Sequence, residues 1–215
     1  MLGNRMMMGA AGVGWDGVWD LLAEDCGTFP GGWTDNDQGD AVTSVSPAGQ
    51  FYFDANTGYC DIYRDFGSTP NEFTVELKLY HDDIGALAAG DTFVLFIEQA
   101  DERLFISWAS DGLFVYDTDS GQTEVGTNLV KEGVAAEWQI WRFVVTFTGT
   151  VGEATCDVYL TDTTHTDEKV GTAIPCSQEG ARTDGKIEFY QQTDTTNNLS
   201  THMDYVYIAT GLHAP

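Results

Sequence analysis

The chain has 215 residues, 34 acidic against 9 basic, and a formal net charge of −25. So acidic a surface repels phosphate backbones, whose binding needs clustered Lys and Arg, which excludes nucleic acid as a partner. No window approaches the roughly 18 apolar residues of a membrane-spanning helix, so no membrane partner is expected. With 42% hydrophobic and 13% aromatic residues, the chain can build the core of one all-β domain. The acids fall singly or in short turns, such as Asp35 and Asp37, Asp82 and Asp83, Asp117 and Asp119. That is the pattern of a solvated face, and it suits a saline setting in which ions screen the charge.

Residues 1–19 differ in character from the rest of the chain. One Arg precedes a short apolar stretch, 6–11, which Gly9 interrupts. A secretion signal needs about 7–15 continuous apolar residues after its charged region, so the segment is expected to be an uncleaved arm. A free arm of this composition would lack order, and docking on a neighbour is expected instead. Met6, Met7 and Met8 supply flexible side chains that fill irregular surfaces. Trp15 and Trp19, four apart, supply one side to bury at the same contact. The expected division is an anchoring arm, 1–19, and a β-sandwich domain, 20–215.

From residue 50 the chain reads as short β-type runs separated by Gly, Asp, Asn and Thr turns. Runs 51–53 and 60–63 flank the turn Asn56-Thr57-Gly58. Run 72–80 alternates, with Phe73, Val75, Leu77 and Leu79 on one face and Glu72, Thr74, Glu76 and Lys78 on the other, as a half-buried strand does. Residues 82–90 suit a single helical turn. Run 92–97 is apolar on both faces and suits a central strand. Runs 103–108 and 113–116 form a hairpin about Ser110-Asp111-Gly112. Run 138–148 places Trp141, Phe143, Val145 and Phe147 together, and runs 186–190 and 203–209 complete the set.

Cys26, Cys60, Cys156 and Cys176 lack C-x-x-C spacing, so a thiolate zinc site is not expected. If 161–168 is a hairpin loop, Leu160 opposes a residue near Val170, and Cys156 and Cys176 fall nearly opposite each other. A Cys156–Cys176 disulfide and two free thiols both fit that register; Cys26 with Cys60 is the leftover pairing.

In order, these segments resemble the concanavalin A-like lectin/glucanase superfamily, close to its laminin-G-like modules, over about residues 20–211. The opening 21–29 (LLAEDCGTF) with Trp33-Thr34-Asp35 looks like that group's first strand. Runs 73–80, 93–97, 104–108 and 113–116 look like its curved-sheet meander. Runs 138–147 and 156–160 look like its return strands, and 203–209 (MDYVYIA) like its last. The resemblance implies a concanavalin A-like jelly-roll β-sandwich of two antiparallel sheets, here with an extended N-terminal arm. It also implies a structural calcium ion tying an acid of the first strand, Asp25 or Glu24, to Asp204 of the last. The loop 35–40 (DNDQGD) is a second calcium candidate, although it departs from the twelve-residue EF-hand pattern. Residues 1–14 are similar in style to the openings of tailed-phage virion proteins that carry such domains.

The superfamily's glucanases carry Glu-x-Asp-x-x-Glu on one strand, which holds nucleophile and acid/base about 5–5.5 Å apart. No such segment exists here, and Glu76 and Glu188 stand alone on their strands. The His/Tyr/Arg cluster of its lyases is also missing, as are a Gly-x-Ser-x-Gly elbow and a phosphate loop. His81, His165, His202 and His213 are expected in solvated turns or tails. A non-enzymatic protein is therefore expected, with no catalytic residues and no cofactor beyond structural calcium. Sugar binding calls for exposed aromatics beside polar groups, and Trp33, Trp108 and Tyr116 are the candidates; core packing is the competing role of the tryptophans. The reading is a virion structural protein, a capsid decoration or a tail or fibre component. Its partners would be other virion proteins or copies of itself, in an oligomer or larger assembly, and surface polysaccharide. The alternative is a secreted or cell-surface carbohydrate-binding module, and a third reading is a glycan lyase or hydrolase with unfamiliar catalytic residues.

Overall fold

The computed structural model describes residues 18–46, 49–55, 58–82, 92–100, 102–109, 112–118, 121–126, 128–131, 137–179, 184–192 and 200–215. Met6, Met7, Met8 and Trp15 of the expected arm lie outside these, as does the expected helical turn after Asp82. The described residues form strands and no helix. In chain order these are β1 (Leu22–Glu24), β2 (Thr34–Asp35), β3 (Val42–Val45), β4 (Phe51–Asp54), β5 (Tyr59–Asp65), β6 (Glu72–His81), β7 (Thr92–Glu98) and β8 (Glu102–Ala109). The second half of the chain adds β9 (Gly112–Asp117), β10 (Gly121–Val125), β11 (Gln139–Thr146), β12 (Thr155–Thr161), β13 (Glu168–Pro175), β14 (Ser177–Glu179), β15 (Lys186–Gln192) and β16 (Ser200–Thr210).

The strands make two antiparallel sheets of eight. The first runs β13-β12-β11-β6-β16-β4-β3, with β1 beside β16. The second runs β10-β9-β8-β7-β15-β5-β2, with β14 beside β8. This is a jelly-roll β-sandwich of the concanavalin A-like kind. Consecutive strands β4 and β5 sit in different sheets, so the turn between them carries the chain across the core. Asp37 helps hold that crossing, because its carboxylate accepts bonds from Thr43 of β3 and from the Asp61 amide of β5. The loop 35–40 thus uses Asp37 as a brace between sheets, and Asp35 caps the amide of Asp37 at 3.0 Å in ordinary turn chemistry.

Alternation fixes what lies between the sheets. In β6, Phe73, Val75, Leu77 and Leu79 are fully buried, facing the same side as Trp141, Phe143 and Val145 of β11. Burying each such side chain is worth about 1.5–3 kcal/mol. Strand β7 is central, as expected: Phe93, Leu95 and Ile97 point inward and Val94 and Phe96 outward. In β16 a bulge between Met203 and Tyr205 resets the alternation. Met203, Val206 and Ile208 are thereby all buried, while His202, Asp204 and Tyr205 stay at the surface.

The observed ladder keeps Cys156 and Cys176 nearly opposite, as expected, while Leu160 and His81 depart from expectation. Leu160 pairs with Glu168, not with a residue near Val170, and bulges between Cys156 and Tyr159 shift the rest of the ladder. Cys156 therefore faces Ile174, while Cys176 lies two residues further on, its amide bonded to Ala154. All four cysteines are buried free thiols, and burial pushes the Cys60 thiol up to about 12. His81, expected in a solvated turn, is the last residue of β6 and points into the core at 1% exposure. Its Nδ1 shares a 3.0 Å hydrogen bond with Thr201 Oγ1.

Candidate functional site

Two of the three aromatics expected to bind sugar lie in the core. Trp108 is fully buried between Phe93, Trp141 and Phe143, and Trp33 is 4% exposed against Phe51 and Phe189. Parity explains Trp108, which shares the inward side of β8 with Leu104 and Ile106. Tyr116 does lie on the outer face of the second sheet. It stacks on Phe105 at 4.1 Å, Phe105 packs on Phe96 at 4.7 Å, and the Arg103 guanidinium sits over Phe96 at 4.4 Å. These side chains are partly exposed, and Arg103 is tied to Gln178 at 2.9 Å.

The outer face of the first sheet joins aromatic rings to polar groups. Outward positions on neighbouring strands fall in one cross-strand row: His202 of β16 lies opposite Tyr80 of β6 and Tyr52 of β4, and Tyr52 lies opposite Ser44 of β3. Trp138, just ahead of β11, extends the row beyond Tyr80. Ring centroids are 5.6 Å apart for Trp138 and Tyr80, 5.5 Å for Tyr80 and His202, and 4.8 Å for His202 and Tyr52. All four rings are partly exposed. Lys78 Nζ lies 4.9 Å over the Trp138 ring and 2.7 Å from Asp204.

At the β4–β3 end the row opens into a pocket of about 370 Å³ lined by Ser44, Val45, Ser46, Tyr52, Asp82 and His202. Asp82, its side chain 44% exposed, stands 3.4 Å from His202 Nε2. It also accepts a bond from the Tyr80 hydroxyl, which holds that phenol above its usual range. Tyr52 shares a 3.0 Å bond with Ser200, and the buried Ser46 Oγ lacks a hydrogen-bond partner among the described residues. Rings, a carboxylate and hydroxyls thus converge on one open surface, the donor and acceptor set that a polyhydroxylated ligand requires. None of these residues was expected to bind a ligand from the sequence, although the outward parity of Lys78 predicts the same for Tyr80.

The expected calcium ligands lie close in the fold, since β1 pairs with β16 and places Glu24 opposite Val206. Each already has protein partners. Asp25 accepts the Tyr207 hydroxyl at 2.8 Å, Asp204 pairs with Lys78, and Glu24 takes Arg64 at 2.5 Å and the Cys26 amide at 3.1 Å. Among the described residues no three His, Cys, Asp or Glu side chains gather as a metal site. Tyr207 engages one carboxylate oxygen of Asp25 and Lys78 one of Asp204. Trp19, expected at a neighbour's surface, packs 5.5 Å from Tyr207 of its own sheet. Beside it Tyr205 stacks on Tyr207 at 4.5 Å and donates to Glu76, which also binds Arg142 at 2.8 Å. Burial and then the Glu76 charge drive the Tyr205 hydroxyl far up.

No family model and no curated protein matches this sequence. Solved structures do. A botulinum neurotoxin type C structure, from work on its interaction with two ganglioside molecules, matches at TM-score 0.56 and 11% identity over 89% of this chain and 48% of that one. The binding domain of botulinum neurotoxin DC, in complex with rat synaptotagmin II, matches at TM-score 0.56 and 10% identity, covering 91% and 49%. A GH43 glycoside hydrolase engineered for endo-xylanase and exo-arabinofuranosidase activity matches at TM-score 0.57 and 12% identity, covering 92% and 42%. The chain spans under half the length of each. At these identities the likeness establishes the fold alone.

Proposed function

We propose that this protein is a non-enzymatic glycan-binding β-sandwich whose ligand lies on the outer face of the first sheet. The aromatic row with its polar pocket carries this reading, since sugar rings pack their apolar faces on aromatics while carboxylate and hydroxyl groups fix the hydroxyls. The neurotoxin and hydrolase neighbours lend support by analogy of fold. A glycan microarray tests the reading. The wild type and a Tyr116→Ala control on the opposite sheet bind the same glycans, while Trp138→Ala and Tyr52→Ala each lose about tenfold or more in affinity, about 1.4 kcal/mol. Equal binding by all four proteins, or release of reducing sugar from the bound glycan, overturns it.

The setting we propose is a virion, with the sandwich displayed as a capsid decoration or as part of a tail or fibre, meeting other virion proteins or its own copies. The scattered acidic charge and the style of residues 1–14 support that setting. A secreted or cell-surface carbohydrate-binding module would use the same face. Mass spectrometry of purified particles separates the two settings.

A further inference from the structure

We infer that the row on the first sheet takes an uncharged glycan chain lying across the strands, several sugar units at once, and rejects chains bearing carboxylate or sulfate groups; this rests on the glycan-binding reading above. The length argument comes from topology. The row steps through β11, β6, β16, β4 and β3 without skipping a strand. At the usual strand spacing, Trp138 and Ser44 therefore stand about 19 Å apart. Successive ring contacts of 5.6, 5.5 and 4.8 Å leave no break along the first four positions. One sugar ring covers a fraction of that track, whereas a chain laid perpendicular to the strands meets a new ring at each strand.

The charge argument comes from how the groups along the track are engaged. Its fixed cation is Lys78, which Asp204 neutralises at 2.7 Å and which lies against the Trp138 face. His202 is turned to Asp82 at 3.4 Å, and Asp82 is the carboxylate of the pocket. Lys78 and His202 are thus both engaged by carboxylates and unavailable to an anionic sugar. The chain's net charge of −25 adds long-range repulsion. A neutral sugar meets no such penalty: its hydroxyls donate to Asp82 and exchange bonds with Ser44, while its ring faces lie on Tyr52 and Tyr80.

Calorimetric titration with linear glucan, galactan and mannan oligomers, from single sugars to hexamers, tests this, alongside the same polymers oxidised to carboxylate at C6. Affinity for the favoured backbone should rise about tenfold or more between monomer and tetramer and then level off. The oxidised polymer should bind about tenfold more weakly at low salt, with the gap narrowing as salt screens the charge. Monomer binding as tight as hexamer binding, yet lost in Tyr52→Ala, removes the extended-chain inference and leaves the glycan-binding face standing. Equal or tighter binding of the oxidised polymer removes the selectivity for neutral chains. Binding that Tyr52→Ala and Trp138→Ala leave unchanged, or no binding by any backbone, overturns both the inference and the reading beneath it.

Discussion

His81 shows what one buried polar residue contributes. Burial lowers its pKa to about 3, because a desolvated imidazole resists protonation. In the unfolded chain the same ring titrates near 6.5. The folded pKa is the lower one, so the stabilising effect is complete above about pH 6.5 and is lost as pH falls towards 3, at up to about 1.4 kcal/mol per unit. Denaturation followed between pH 7 and 5, above most carboxylate titration, should show wild-type stability falling with pH. In a His81→Phe/Thr201→Val double variant, which leaves no buried hydroxyl alone, that slope should flatten. An unchanged slope contradicts the role given to His81. Local composition hides this burial, since His81 follows Tyr80 and precedes two aspartates at what reads as a strand end. Only its parity with Phe73, Val75, Leu77 and Leu79 points inward.

At the scale of strands, alternation was the legible part. The inward faces of β6, β7 and β11 follow from period-two patterning, and so does the central place of β7. Short polar strands escaped notice: β3, β10 and β14 have few apolar residues and take their form from the partners they pair with. Register escaped too. The bulges in the β12–β13 ladder set Cys156 opposite Ile174, two residues from Cys176, and which outward residues share a row is decided by strands distant in sequence. The site was illegible for that reason, because Trp138, Tyr80, His202 and Tyr52 come from four separate segments. The pairing of β1 with β16 keeps calcium at Asp25 and Asp204 as a proposal with a direct test. Calcium, and not magnesium at matched ionic strength, should raise the wild-type Tm by several degrees and leave Asp204→Asn unmoved; the flexible coordination of calcium and the strict octahedron of magnesium make the comparison selective. Equal effects of the two ions mean screening of general charge and no site.

For the whole molecule, a sandwich with a net charge of −25 stays dispersed by self-repulsion, so stable assembly needs a contact that brings enough apolar surface to outweigh it. Residues 1–17 are the proposed source of that contact. The described strands begin at β1 and pack a core among themselves, so a chain lacking residues 1–17 should remain folded with a near-native Tm while failing to join the proposed particle. Incorporation at the wild-type level contradicts the anchoring role. Two-dimensional NMR during glycan titration reads directly where the proposed ligand sits. The expected result is shift changes gathered on the first sheet, at the Trp138 indole NH, the His202 ring and the amides of Ser44, Tyr52 and Asp82. Changes gathered instead around Phe96, Phe105 and Tyr116, with the first sheet silent, contradict it.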